Sequence, residues 1–214
     1  MKYGLVITAA GTSTRFGANK LFSDLNGKPL IVRTCEAFLC FSQISEWVLV
    51  LNPESKKEWQ KWTQSHPFPK DIKYVEGSSS RQKSVRNGVM AVSSSIDKVL
   101  IHDAARPYIS QALIDRLLAK SMQSSAVIPG IPVVDTIKQI GQQKVLKTLD
   151  RESLIAVQTP QVFDRKNLLE AYKKCDMTQI YTDEASLIES VGGVVDIVDG
   201  EIENIKVTFP TDLA

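Results

Sequence analysis

The chain has 214 residues, 43% of them hydrophobic and 23% charged, with 26 basic against 24 acidic side chains and no 18-residue apolar run; this predicts one globular domain and excludes a disordered chain, a membrane-spanning helix and a globally basic nucleic-acid binder. Three cysteines and two histidines without a CxxC pair argue against a four-ligand zinc site, and with no secretory h-region they predict a reducing cytoplasm. A local basic cluster for a small anionic ligand remains open.

In chain order, Tyr3 to Thr8 predicts a buried strand that runs into Ala9-Ala10-Gly11, with Arg15 and Lys20 close behind. Pro29 to Phe41 predicts a helix with Pro at its first position and Leu30, Thr34, Ala37, Phe38 and Phe41 on one face. A strand over Trp47 to Leu51 leads to a helix from Pro53 to Trp62. A strand over Ile72 to Val75 ends in Glu76-Gly77 and three serines, and Ser80 or Ser84 caps a helix over Ser84 to Val92. Val99 to Ile101 predicts a strand that delivers His102-Asp103-Ala104-Ala105-Arg106-Pro107, and Ser110 caps a helix to Met122.

After a strand over Ala126 to Ile128 the alternation breaks. Residues 131–162 predict a β-hairpin around a Gly-containing turn at Gly141-Gln142-Gln143. A lone hairpin is marginal in water, so it must pack on its own domain or on another chain. Asp164 caps a helix to Lys174, Thr182 caps another that begins Asp183-Glu184-Ala185, and strands over Val194 to Val198 and Ile205 to Phe209 close the chain. On that last strand Lys206 faces away from Ile205 and Val207, where an interior Lys needs an anionic partner or a cleft.

Strand then helix, repeated, is the pattern of an α/β fold with a mostly parallel sheet, whose ligands sit beyond the carboxyl ends of the strands. The chemistry-bearing residues fall in those loops. Taken singly, each loop reads equally well as a surface turn, and His102 reads as a satisfied, partly buried histidine. The first loop is neither GxGxxG nor the GxxxxGK[ST] phosphate loop.

Six motifs occur in one order: Ala-Ala-Gly-x-x-x-Arg with a following Lys, Gly-x-x-x-Arg-x-x-Ser-Val, His-Asp-Ala-Ala-Arg-Pro, Gln-Thr-Pro-Gln, Thr-Asp-Glu-Ala and Asn-Ile-Lys-Val-Thr. Together, from about residue 3 to 213, the chain resembles the 2-C-methyl-D-erythritol 4-phosphate cytidylyltransferases. The resemblance implies a Rossmann-like nucleotidyltransferase domain over 1–214, with a β-arm at about 131–156 that joins a homodimer. It implies transfer of a cytidylyl group from CTP to methylerythritol phosphate with release of pyrophosphate, and Mg²⁺ held mainly by the CTP phosphates. It assigns Arg15 and Lys20 to the α-phosphate and Arg151 and Lys206 to the attacking phosphate. Ala9, Ala10 and Gly11 approach the nucleotide, Gly77 and Ser84 lie in the cytosine loop, and Asp103, Arg106, Thr159 and Thr182 fall at sugar-phosphate or ribose positions. Arg81 and Ala104 join the substrate-binding set. Ser13, Ser78, Ser79 and Phe209 depart from the family pattern.

The nucleophile of such a reaction is a phosphate monoester, already anionic near neutral pH because its second pKa is about 6. No general base is needed, and cations around the phosphorus carry the catalysis. A sister enzyme using another polyol phosphate, such as ribitol 5-phosphate, shares that chemistry. A dinucleotide-dependent oxidoreductase would want GxGxxG and an acidic residue after the second strand, where Leu51-Asn52-Pro53 stands. A non-catalytic nucleotide-binding regulator on the same fold would be expected to lack Arg15, Lys20 or Lys206, all of which are present.

Overall fold

In this computed structural model residues 1–11 and 19–213 are described, so Ser13 and Arg15 lie outside the described residues. The elements run β1 (Tyr3–Ala9), β2 (Asp24–Leu25), β3 (Lys28–Pro29), α1 (Leu30–Glu36), β4 (Ile44–Leu51), α2 (Pro53–Ser65), β5 (Ile72–Glu76), α3 (Arg81–Ala91) and β6 (Lys98–Asp103). They continue with α4 (Gln111–Ser121), β7 (Ala126–Pro132), β8 (Lys138–Gly141), β9 (Lys144–Thr148), β10 (Ile155–Val157), β11 (Gln161–Asp164), α5 (Arg165–Lys174), α6 (Glu184–Ser190) and β12 (Asp196–Asp199).

One sheet of eight strands, in the order β10-β7-β11-β6-β1-β4-β5 with β12 also on β7, organises the chain. β1 lies parallel between β4 and β6, and β5 is parallel to β4. Both faces of β1, β4 and β6 are largely buried, and alternation sorts their side chains into two cores. Leu5, Ile7, Leu49, Leu51 and Leu100 pack on one face against α1, α2 and α4. Val6, Val48, Val50, Val99 and Ile101 pack on the other against α3, α5 and α6. A fully buried Val or Leu contributes roughly 1.5–3 kcal/mol, so strands covered on both faces read as nearly unbroken apolar runs rather than alternating ones.

The structure corrects several expectations. Residues 131–162 are not one hairpin: β10 returns antiparallel along β7, and β11 inserts antiparallel between β6 and β7. The free hairpin is β8–β9 alone. Its turn is Gln142-Gln143, both at positive φ, while Gly141 pairs with Lys144 inside the ladder. The expected strand at Ile205 to Phe209 is extended backbone without a ladder, pinned where Val207 N–H donates to Ala105 O at 2.8 Å. Val207 is buried and Ile205 exposed, so the expected shared face is absent. The helix expected from Pro29 to Phe41 ends at Glu36, with Pro29 paired in β3. An Asn26-Gly27 turn, both residues at positive φ, joins β2 to β3 and was not anticipated.

Caps also move. Ser110 caps α4 as expected, but Ser80, not Ser84, caps α3, which begins at Arg81. Asp183, not Thr182, caps α6, in a reciprocal box with Ser186. Asp164 stands at the start of α5, but its side chain turns to Lys98 at 2.5 Å, where a buried ammonium needs it more than the helix does.

Candidate functional site

The sheet order reverses at β1: the chain runs outward through β4 and β5, then returns to place β6 on the other side. A crevice opens outside the carboxyl ends of strands at such a point. It is a cavity of about 430 Å³ lined by Ala9 at the end of β1 with Ala10 and Gly11 beyond it, Ser78 to Arg81 and Ser84 after β5, Asp103 at the end of β6 with Ala104 beyond it, and Lys20 and Lys206.

The floor is built from small residues because the loops touch. A Cβ on Gly77 would stand 2.2 Å from the Cβ of Ala10, so only glycine lets the two loops meet there. Gly77 N–H donates to Leu51 O at 2.9 Å. Ser84, one turn into α3, accepts from Ser78 N–H at 2.8 Å and donates to Ser80 O at 2.9 Å. Its hydroxyl folds the serine loop into shape.

Asp103 is the acidic centre. Its Oδ2 accepts from Lys206 Nζ at 2.6 Å and lies 4.0 Å from Arg106 Nε, and its Oδ1 is 3.4 Å from Thr8 Oγ1. Burial pushes its pKa up, but the Lys206 and Arg81 charges outweigh that and hold the carboxyl well below the usual range. The residue stays ionised at any working pH. Lys20 Nζ donates to the carbonyl of Val207 at 2.9 Å, beside Lys206 in the chain.

A buried relay fixes Asp103. His102 is fully buried, with Nε2 3.0 Å from Arg106 O and Nδ1 3.0 Å from Thr159 Oγ1. A carbonyl only accepts, so Nε2 carries the proton and Nδ1 accepts from the Thr159 hydroxyl. That hydroxyl in turn accepts Asp103 N–H at 3.1 Å. Burial pushes the imidazole down to about 4, so it is neutral, the satisfied histidine the sequence suggested. Arg106 donates to Asn204 O at 2.7 Å, and Asn204 Nδ2 donates to Thr159 O at 2.9 Å, tying the Lys206 segment to the relay.

Arg81 lines the cavity, and each of its terminal nitrogens donates at 3.0 Å to one oxygen of Glu184. Burial works against the guanidinium charge, but Glu184 outweighs it and raises the Arg81 pKa; burial pushes Glu184 upward against the pull of Arg81.

Of the residues singled out in sequence, Lys20 and Lys206 meet at this cavity with Ala9, Ala10, Gly11, Arg81, Ser84, Asp103 and Ala104. Gly77, Arg106 and Thr159 support its wall from behind. Arg151 does not join them. It lies on a second cavity with Pro132 to Val134, Glu152, Leu154 and Ile155, and donates to Val134 O at 2.8 Å. Thr182 is exposed and does not line the main cavity. Sequence reasoning gave no role to Gln82 or Tyr172, quoted Gln158 and Asn204 only as motif members, and read Glu184 only as a first-turn acid. For Gln82, Gln158 and Asn204 the available signal was their place inside the motifs; Tyr172, in the middle of α5, carried none.

The 2-C-methyl-D-erythritol 4-phosphate cytidylyltransferase family model matches residues 4–214. The enzyme of that name from Bacillus mycoides is 40% identical over 214 residues, spanning 99% of this chain and 94% of that protein. The one from Bacillus pumilus is 40% identical over 217 residues, spanning 100% and 94%. Among solved structures, the 4-diphosphocytidyl-2C-methyl-D-erythritol synthase of Anaerococcus prevotii superposes with a TM-score of 0.86 at 28% identity, covering 99% of this chain and 94% of that one. The 2-C-methyl-D-erythritol 4-phosphate cytidylyltransferase of Thermus thermophilus gives 0.79 at 31%, covering 100% and 96%. With this sheet order, this crevice and matches along nearly the whole chain, the protein belongs to the 2-C-methyl-D-erythritol 4-phosphate cytidylyltransferase family.

Proposed function

We propose that the chain carries out its family's reaction in the cavity between Ala9 and Asp103, with Lys20 and Lys206 as its cationic wall. The reaction transfers the cytidylyl group of CTP to 2-C-methyl-D-erythritol 4-phosphate and releases pyrophosphate, a step of non-mevalonate isoprenoid synthesis. The ribitol phosphate, oxidoreductase and regulator alternatives are not favoured. The observation that carries the reading is the convergence of Lys20, Asp103 and Lys206, far apart in sequence, on one crevice at the strand ends.

A phosphate oxygen of methylerythritol phosphate attacks the α-phosphorus of CTP; the new P–O bond forms as the bond to the β-phosphate oxygen breaks, and pyrophosphate leaves with that electron pair. The attacking group is already ionised, so no side chain has to take a proton. The difficulty is bringing anions together. Lys20 and Lys206 offset that charge as point cations, and Arg15, outside the described residues, is assigned to the α-phosphate with Lys20. The small residues Ala9 to Gly11 let phosphate oxygens approach the backbone closely.

Among the described residues no three His, Cys, Asp or Glu gather as a ligand set, and Asp103 is the carboxylate lining the cavity. That donor set fits Mg²⁺, which keeps several waters and takes few protein ligands beside substrate phosphates. Asp103 and the CTP phosphates would hold it. When bound, the ion offsets phosphate charge.

We read 1–214 as one nucleotidyltransferase domain whose arm, at about 131–156, joins two copies. Val134, Ile140, Val145 and Leu146 are all more than 60% exposed on or beside β8–β9, an apolar surface that a lone hairpin does not sustain. A second copy would then bring its Arg151 to this cavity. The free Cys35, Cys40 and Cys175 support a cytoplasmic location, and no helix among the described residues is long and apolar enough to cross a membrane.

The test is a panel of polyol phosphates and nucleoside triphosphates with Mg²⁺, scored for product. Pyrophosphate release requires CTP and methylerythritol phosphate together; equal release from CTP alone overturns the mechanism. Deleting residues 135–148 yields monomers with little activity by sedimentation and turnover, and a fully active dimer refutes the arm.

A further inference from the structure

Two successive side chains at the start of α3 reach about a hundred residues along the chain. Arg81 grips Glu184 with both terminal nitrogens at 3.0 Å. Gln82, itself buried, donates to Gln179 O at 3.0 Å and accepts from Tyr181 N–H at 3.0 Å. Glu184 is 1% exposed, and the Tyr172 hydroxyl donates to its Oε1 at 3.2 Å. Three donors on two oxygens require an ionised carboxylate, which only accepts.

Such a pair is not a cheap way to stabilise a fold. Desolvating both charges offsets most of their attraction, and well-packed apolar side chains of similar size often serve as well. What the bidentate grip supplies is direction. A guanidinium held by two parallel bonds has a fixed plane, so its remaining N–H donors point one way. Here that group lines the cavity. The Gln82 clamp ties the same helix end to the segment that carries Thr182.

We propose that Glu184 is a positioning residue for the reaction: it aims Arg81 at the nucleotide side of the cavity and, with Gln82, fixes the spacing between the serine loop and residues 179–184. Tyr172 holds Glu184 in place. The proposal rests on the cavity being the CTP site.

Steady-state kinetics on the full-length protein test it, with wild type, Glu184→Gln and Arg81→Met/Glu184→Met compared by CTP KM, kcat and melting temperature. Glu184→Gln raises the CTP KM about tenfold or more, the loss expected for a charge-assisted hydrogen-bonded pair. The double variant regains a melting temperature near wild type yet keeps the raised KM. A merely structural pair would lower the melting point and the active fraction without moving KM. A CTP KM within twofold of wild type in either variant therefore overturns the proposal, and if Glu184→Gln does not fold, the double variant alone decides. Wild-type protein with no turnover of CTP and methylerythritol phosphate refutes both this inference and the assignment of the cavity; wild-type turnover with an unmoved variant KM refutes this inference alone.

Discussion

Lys206 Nζ lies 2.6 Å from Asp103 Oδ2, joining a half-exposed cation to the carboxylate that ends β6. The contact holds a lysine without secondary structure of its own at the rim of the cavity, and it keeps Asp103 ionised.

Replacing Lys206 separates catalysis from stability. Its side chain is 41% exposed and Asp103 keeps the Arg81 and Arg106 charges nearby, so Lys206→Ala lowers folding stability only modestly, by about 1–2 kcal/mol. Removing one positioned cation from the reacting phosphates lowers kcat by about 10²-fold. Pyrophosphate release and a urea melt on the same preparation check both halves.

His102 makes the protein acid-sensitive in a defined window. Its folded pKa is about 4 against an ordinary 6.5, so the unfolded chain binds the extra proton between those values. Stability is therefore full above pH 6.5 and falls as the pH drops toward 4, by at most about 3 kcal/mol. Glu184, pushed upward by burial, contributes with the opposite sign. Urea titrations from pH 7 to 4 isolate the histidine by difference, because His102→Asn loses that part of the slope.

Thr159 links the neutral histidine to Asp103. Thr159→Val leaves both Asp103 N–H and His102 Nδ1 unpaired in a buried site. The cost is about 2–3 kcal/mol by chemical denaturation, with a fall in turnover, while Thr159→Ser keeps the hydroxyl and stays close to wild type.

Lys98 is buried in β6 and takes its counter-charge from Asp164, its register partner on β11. Asp164→Ala strands that ammonium and destabilises by about 3–5 kcal/mol. Lys98→Met/Asp164→Leu recovers most of the loss, and thermal melts of the two variants distinguish an uncompensated charge from lost packing.

The arm's turn is strained, with Gln142 and Gln143 at φ of 49° and 61°. Gln143→Gly relieves one left-handed side chain and stabilises the hairpin by about 0.5–1 kcal/mol. Tighter self-association in sedimentation checks it, on the reading that the arm joins two copies.

The sequence by itself determined the β-α alternation and, through six motifs in one order, the family resemblance that implied the chemistry. Short Val, Leu and Ile runs bounded by turn residues read as strands buried on both faces, and Ala9 to Gly11, Gly77 to Ser84 and Asp103 fall at or just past strand ends. Those are local properties of spacing and side-chain type. Tertiary structure decided what local pattern cannot encode. Ile205 to Phe209 has β-branched residues but no neighbour to ladder with, so it is an extended rim segment held by Asp103 and Ala105. Gln161 to Asp164 reads as the end of a hairpin and a helix cap but becomes a central antiparallel strand because β6 and β7 leave a slot between them. Asp164 leaves its cap for Lys98, and Glu184 leaves the solvent for Arg81, because a buried cation from a distant stretch outweighs a helix's own first turn. Burial and charge compensation between remote residues are pairwise facts of the folded chain, and no window of neighbouring residues contains them.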